Sequence, residues 1–339
     1  MVKKNGSILV IIMFLYSLAA AQDNPIKNLV FEGAGLRGIA YCGAIKELEN
    51  RKLITGIEKV GGTSAGAVTA LCISLGYTSD EIAKLLYATN FKKFNDGRFF
   101  FAGGIHRIKK YFGWYRGEKL DRWLEKIIKD KTGNENITFE QLYEKGYKDL
   151  YVTATVLNQQ KLLILSRYNY PRMRVKDAVR VSMSIPFYFE APYIDAEGRL
   201  IRRPVNTQGL DIMVDGGLTG NFPIHIFDSV YTRNSRKEYA ANMATLGFRI
   251  DNERQIESDK KERELVNMPV TSLKEYTAAF YNMMIENLNR QSLSTDDWKR
   301  TISISDAAIA PRIRKLSKAE ITDLITNGNI ATKEYFSNH

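Results

Sequence analysis

Apolar residues along the chain fall into short blocks separated by amphipathic stretches, and this alternation predicts an α/β protein. Asn28-Leu29-Val30-Phe31-Glu32 reads as a buried strand, followed by an apolar-periodic helix through Ile39, Ala40, Ala44, Ile45 and Leu48. Ile57-Glu58-Lys59-Val60-Gly61 leads into a second strand, and Ala67-Val68-Thr69-Ala70-Leu71-Cys72-Ile73 into a second helix. Residues 150–157 and 162–166 form a β-pair around the polar turn Asn158-Gln159-Gln160-Lys161. Leu210-Asp211-Ile212-Met213-Val214 and Thr245-Leu246-Gly247-Phe248-Arg249-Ile250 read as further buried strands.

Beyond residue 250 the pattern loosens. Residues 251–267 mix both charges densely, as a solvated loop or short helix does. Leu273, Tyr276, Phe280, Met284 and Leu288 recur at three- and four-residue spacing and give one apolar helix face, expected to pack on the core. A short strand is expected at 302–304 and a helix near 317–325, where Ser317 and Glu320 have capping-box spacing. The expected organisation is a core from 26 to 250 with a C-terminal helical extension, 251–339, packing on it.

The chain opens with a basic segment containing Lys3 and Lys4, an apolar run from Ile8 to Leu18, and Ala19-Ala20-Ala21. This is the layout of a cleaved signal peptide, residues 1–21. The run is short for a membrane span of about 20 residues. The expected destination is periplasmic or secreted, with an uncleaved N-terminal membrane anchor as the alternative.

Candidate chemistry sits where the elements meet. Gly62-Thr63-Ser64-Ala65-Gly66 joins the second strand to the second helix, and its G-x-S-x-G pattern is that of a nucleophile elbow. A serine on so sharp a turn needs glycines on both sides, and the helix N-terminus beneath it favours negative charge. Upstream, Gly33-Ala34-Gly35-Leu36-Arg37-Gly38 can either cradle a dinucleotide pyrophosphate or present backbone N–H groups as an oxyanion hole. A dinucleotide site calls for an acid closing the next strand; Glu58 stands at that strand's start instead. With Ser64 close downstream, the oxyanion loop is preferred.

The serine needs a base, and the chain holds three histidines. His339 is the last residue, and His106 lies in a basic, aromatic stretch with no acid to orient it. His225 follows Asp215 in the order of an α/β-hydrolase triad, Ser64-Asp215-His225, but Gly216, Gly217, Gly220 and Pro223 crowd the interval. Asp215-Gly216-Gly217 closes a buried strand. A carboxylate there, with its pKa raised in an apolar cleft, takes the serine proton directly.

Together these segments resemble the patatin-like phospholipase family. Glu32 to Gly38 is similar to its glycine-rich oxyanion loop, Gly62 to Gly66 to its elbow, and Asp215-Gly216-Gly217 to its second catalytic motif. Two further stretches, Ala178-Val179-Arg180-Val181-Ser182-Met183-Ser184-Ile185-Pro186 and Gly113-Trp114-Tyr115-Arg116-Gly117-Glu118-Lys119-Leu120, also look similar. The resemblance implies a three-layer α/β/α sandwich with a mostly parallel sheet. It also implies a Ser64–Asp215 dyad, an acyl-enzyme, and neither metal nor organic cofactor. Gly33, Ala34, Gly35 and Ala65 would supply the oxyanion hole, and Arg37, Gly38, Gly62, Gly66, Gly216 and Gly217 would support the motifs. Ala34 stands where many members carry glycine, which suffices if that position needs no positive φ. A fold relative that binds lipid without turnover is the remaining alternative.

Charge adds a location for the substrate. The net charge is +11. Between Phe91 and Arg116, seven basic residues oppose only Asp96 and alternate with aromatics. Nucleic acid is one partner for such a patch; an anionic bilayer suits an exported acyl hydrolase better. Arg37, in a helix's first turn, opposes the macrodipole and is expected either in solvent or against a lipid headgroup. Cys42 and Cys72 fall in the two helices after the glycine motifs and read as buried thiols, with a disulfide left open.

Overall fold

A computed structural model describes residues 26–338 except 98, 234–235, 262, 282, 284–289 and 310–313. The signal-peptide segment, His339, Met284 and Leu288 therefore lie outside the described residues. The elements in the first half are β1 (Asn28–Phe31), a 3₁₀ turn (Gly35–Ala40) running into α1 (Tyr41–Asn50), β2 (Lys59–Thr63) and α2 (Ala65–Ser74). Then come α3 (Ser79–Ala88), α4 (Phe100–Tyr111), β3 (Gly113–Tyr115), α5 (Glu118–Thr132) and α6 (Phe139–Glu144). The middle carries β4 (Asp149–Val156), β5 (Lys161–Leu165), α7 (Val175–Ser182), β6 (Phe187–Phe189), β7 (Tyr193–Ile194) and β8 (Leu200–Ile201). The last third holds β9 (Asp211–Asp215), α8 (Gly217–Gly220), β10 (Ser229–Arg233), β11 (Arg236–Ala240) and β12 (Thr245–Asp251). It ends with α9 (Glu253–Lys261), α10 (Leu273–Tyr281), α11 (Thr295–Lys299), β13 (Thr301–Ser305) and α12 (Lys318–Asn338).

The main sheet has the order β13-β12-β1-β2-β4-β9-β7-β8, with β5 also on β4. The five strands from β13 to β4 are parallel, and β5, β7, β8 and β9 add antiparallel pairings. The central strands are apolar on both faces because helices cover both: β1, β4 and β12 are buried along their full length. Phe31 stacks on Phe248 at 5.0 Å and meets Tyr41 edge-on at 5.1 Å, tying β1 to β12 and α1. Cys42 and Cys72 are buried free thiols, and burial pushes Cys72 up to about 12.

The C-terminal third matches its expected form in part. The strand expected at 302–304 is present as β13, a parallel edge strand on β12, so the segment after 250 adds sheet as well as the expected helix. The mixed-charge stretch is not simply solvated: Asp251, Gln255 and Asp259 are buried, and Arg290 pairs with both carboxylates. The α10 face expected in the core is turned outward instead, with Leu273 79% and Phe280 54% exposed. Helical periodicity marks an apolar stripe but does not say what covers it.

Candidate active site

Strand register brings the two predicted catalytic residues together. Thr63, the last residue of β2, lies beside Thr153 of β4, and the next β4 residue, Ala154, lies beside Asp215 at the end of β9. Ser64 and Asp215 thus converge across a single strand. The Ser64 hydroxyl lies near enough to the Asp215 carboxylate to lower its pKa, and the Gly217 N–H donates to Asp215 Oδ1 at 2.9 Å. Burial raises the Asp215 pKa to about 6, and the neighbouring Ser64 hydroxyl and Gly217 N–H keep it from rising further.

The elbow is strained. Ser64 has φ 52° and ψ −119°, a conformation that costs a non-glycine residue roughly 1–3 kcal/mol. Strand and helix approach so closely at the turn that a Cβ on Gly62 would fall 2.4 Å from the Gly66 carbonyl oxygen. The end of α7 braces both partners: Ser64 N–H donates to Ser182 Oγ (2.8 Å), and Asp215 N–H donates to the Ser184 carbonyl (2.9 Å). In the sequence these serines stood out only as part of a family-like segment, with no role attached.

The oxyanion loop is rebuilt in one detail. Gly33 N–H donates to the Asn221 carbonyl at 3.1 Å, so it is not available to an oxyanion, contrary to expectation. Asn221 also donates through Nδ2 to the Gly33 carbonyl (3.0 Å) and holds the loop from both sides. The N–H groups of Ala34, Gly35 and Ala65 have no protein acceptor among the described residues. Ala34 has φ −136°, so alanine fits there without strain, whereas Gly35 sits at φ 54°. Gly38 packs near the Ala65 methyl and Gly216 near Thr153.

Arg37 is neither solvated nor at a headgroup. It is 2% exposed, its Nε donates to the Ala34 carbonyl (3.3 Å), and its guanidinium pairs with Asp306 after β13 at 3.5 Å. Its cost against the helix dipole is offset by that carboxylate, which is distant in sequence and so invisible to a local reading.

Ser64 opens into an apolar cavity of about 400 Å³. Leu36, Ile39, Val68, Ile82, Phe94 and Trp123 line it together with Gly35 and Ala65. The volume falls near the small end of ligand pockets, about 300–1,000 Å³.

His225 belongs to a different assembly. Its Nδ1 lies 2.9 Å from Asp228 and 3.6 Å from Asp297, not against Asp215, which removes the Ser64-Asp215-His225 triad. His225, Asp228 and Asp297 are close enough to suggest metal ligands, but Arg300 already fills the cation's place, with Nη2 at 2.5 Å from Asp228 and 2.6 Å from Asp297. Burial pushes Asp228 up, yet hydrogen bonds from His225, Arg300 and the Asn242 N–H bring it down to about 2. His106 is exposed and meets Tyr111 edge-on.

The chain has known relatives in sequence and in fold. The family described as patatin-like phospholipase matches residues 29–228, more than half of the chain. The chain belongs to the patatin-like phospholipase family. An uncharacterized protein, R571, of Acanthamoeba polyphaga mimivirus is 34% identical over 208 residues, 61% of this chain and 63% of that protein. YqhO of Bacillus subtilis, also uncharacterized, is 33% identical over 58% of this chain and 65% of its own length. The chain therefore spans less than two thirds of the length of these two relatives. A probable lipid hydrolase, 463L, of Invertebrate iridescent virus 6 is 27% identical over 62% of this chain and 67% of its own. Among solved structures, VipD from Legionella pneumophila superposes with a TM-score of 0.56 at 18% identity, covering 93% of this chain and 67% of VipD, a likeness of fold.

Proposed function

We propose that this patatin-like protein is a lipid acyl hydrolase working through a Ser64–Asp215 dyad. The observation that carries the reading is a serine, on a strained elbow, brought by strand register beside a buried carboxylate and opening into an apolar cavity. Ser64 Oγ attacks the ester carbonyl while Asp215 accepts its proton. The N–H groups of Ala34, Gly35 and Ala65 hold the oxyanion, and the alcohol leaves with that proton. Water then attacks the acyl-enzyme with Asp215 again as base, releasing the fatty acid. A pKa near 6 leaves Asp215 ionised at neutral pH yet more basic than an ordinary carboxylate.

The protein meets its substrate at a membrane surface. Phe99, Phe101, Ile105 and Phe112 are exposed on and beside α4, with Lys109 and Lys110 in its last turn. Other members of the basic, aromatic stretch serve the interior: Phe94 and Arg107 are buried, and Arg107 Nε donates to the Trp114 carbonyl at 2.7 Å. No described helix is long and apolar enough to cross a membrane. Export through the segment 1–21 is part of the same proposal. The test is product analysis on mixed phospholipid, galactolipid and neutral glyceride vesicles, wild type against Ser64→Ala. Free fatty acid released by the wild type and lost in the variant supports the reading; equal release from both defeats it. Co-sedimentation should increase when anionic lipid is added, and an unchanged bound fraction defeats the docking face.

A further inference from the structure

The family match ends at residue 228, yet one wall of the Ser64 cavity comes from beyond residue 300. Lys315, Leu316, Ser317, Lys318 and Ile321 line the cavity from the lead-in and first turn of α12. That wall is firmly seated. α12 crosses α1 so closely that a Cβ on Gly43 would fall 1.8 Å from the Ile325 carbonyl oxygen, and one on Gly328 2.0 Å from that of Ala40. The expected capping box is present: Ser317 N–H donates to Glu320 Oε2 (2.8 Å) and Glu320 N–H to Ser317 Oγ (3.2 Å). Arg314 pairs with the same Glu320 carboxylate, so the acid of this turn is already engaged.

Lys315 and Lys318 are the charged side chains among the cavity's described lining residues, and no acid faces them from that lining. Both are exposed, which places them at the rim, and neither ammonium has a hydrogen-bond or ion-pair partner among the described residues. An apolar chamber with a serine inside and two uncommitted cations at its edge matches a ligand that is apolar at one end and anionic at the other. We propose that Lys315 and Lys318 form an anion subsite that holds the phosphate of an acyl glycerophosphate while its acyl chain occupies the cavity. The proposal rests on the lipid hydrolase reading. It adds a substrate class, lipids whose headgroup is a bare phosphate, and places the selecting residues outside the family-matched segment. Charge-assisted hydrogen bonds to phosphate strengthen beside a low-dielectric wall. A zwitterionic headgroup carries its own cation to the same rim and forfeits much of that attraction.

Calorimetric titration with short-chain, ether-linked phosphatidic acid and phosphatidylcholine, both below their micelle concentrations, tests this without turnover or a bilayer. Wild type should bind the phosphatidic acid analogue about tenfold more tightly, a difference that shrinks with salt. The double variant Lys315→Glu/Lys318→Glu should lose the preference, and Lys315→Arg/Lys318→Arg should keep it. Equal wild-type affinity for the two analogues overturns the subsite, as does a preference that survives the glutamate pair. Inorganic phosphate bound as tightly as the phosphatidic acid analogue would assign the lysines to a free anion and also overturn it. Selective binding without hydrolysis of the corresponding esters contradicts the hydrolase reading alone; hydrolysis without selectivity contradicts the subsite alone.

Discussion

Two buried aspartates, thirteen positions apart, are treated in opposite ways. Asp228 is bracketed by Arg300 and His225 and titrates at about 2; Asp215 faces a serine hydroxyl and an amide N–H, with no cation beside it among the described residues, and burial lifts it to about 6. The paired carboxylate is fixed in its ionised state and bonds the loop after α8 to the β13 edge of the sheet. The unpaired one can gain and lose a proton near neutrality, as a general base must. The difference lies in the neighbours, added to a deeper burial of Asp215, and not in the residue type.

Breaking the paired site should cost the most stability. Asp228→Asn leaves Arg300 facing one carboxylate fewer in a buried place, and loss of one partner from such a pair costs about 3–5 kcal/mol. The midpoint of chemical denaturation should fall accordingly, while turnover per folded molecule stays within a few-fold of wild type. A variant that keeps its stability but loses activity would merge the two sites into one.

Next in size is the oxyanion loop. Gly35→Val forces a β-branched residue to φ 54°, although a Cβ there would meet nothing within 4 Å, so the change tests conformation rather than crowding. Misdirecting one oxyanion donor lowers kcat by roughly 100- to 1,000-fold. Near-normal kcat would take Gly35 out of the hole.

The third effect has opposite signs at the two aspartates. For Asp215 the folded pKa of about 6 lies above the ordinary 3.8. Its contribution to stability is complete below pH 4 and is lost as pH rises through 6. Asp215→Asn should therefore melt higher than wild type at pH 8, by about 3 kcal/mol for the two-unit shift, and the gap should close near pH 4. For Asp228, with its pKa lowered to about 2, the stabilisation is present above pH 4 and disappears as pH falls toward 2. In the same account kcat/KM rises with pH through about 6. A gap that widens in acid would reverse the assignment.

The sequence makes the Asp215 site far more legible than the Asp228 site. Ser64, the glycine loop and Asp215-Gly216-Gly217 each announce a sharp turn at a strand end, which is a local requirement written in local residues. The alternation of strand and helix likewise conveyed the parallel sheet, since each buried strand needs only its own apolar run. Ser182, Asn221 and Arg300 act on partners more than fifty residues away, and nothing beside them in the chain reveals that. Arg37 escapes a local reading for the same reason: its carboxylate, Asp306, is 269 positions downstream. The outward face of α10 had the periodicity of a core helix because the period reports amphipathicity only.

The most direct test of the central claim is labelling by a fluorophosphonate, read by intact mass and peptide mapping. The account predicts one adduct, on Ser64, forming in the wild type and as rapidly in His225→Ala, absent in Ser64→Ala, and strongly slowed in Asp215→Asn. An adduct that persists in Ser64→Ala, or a rate that depends on His225 and not on Asp215, would contradict it.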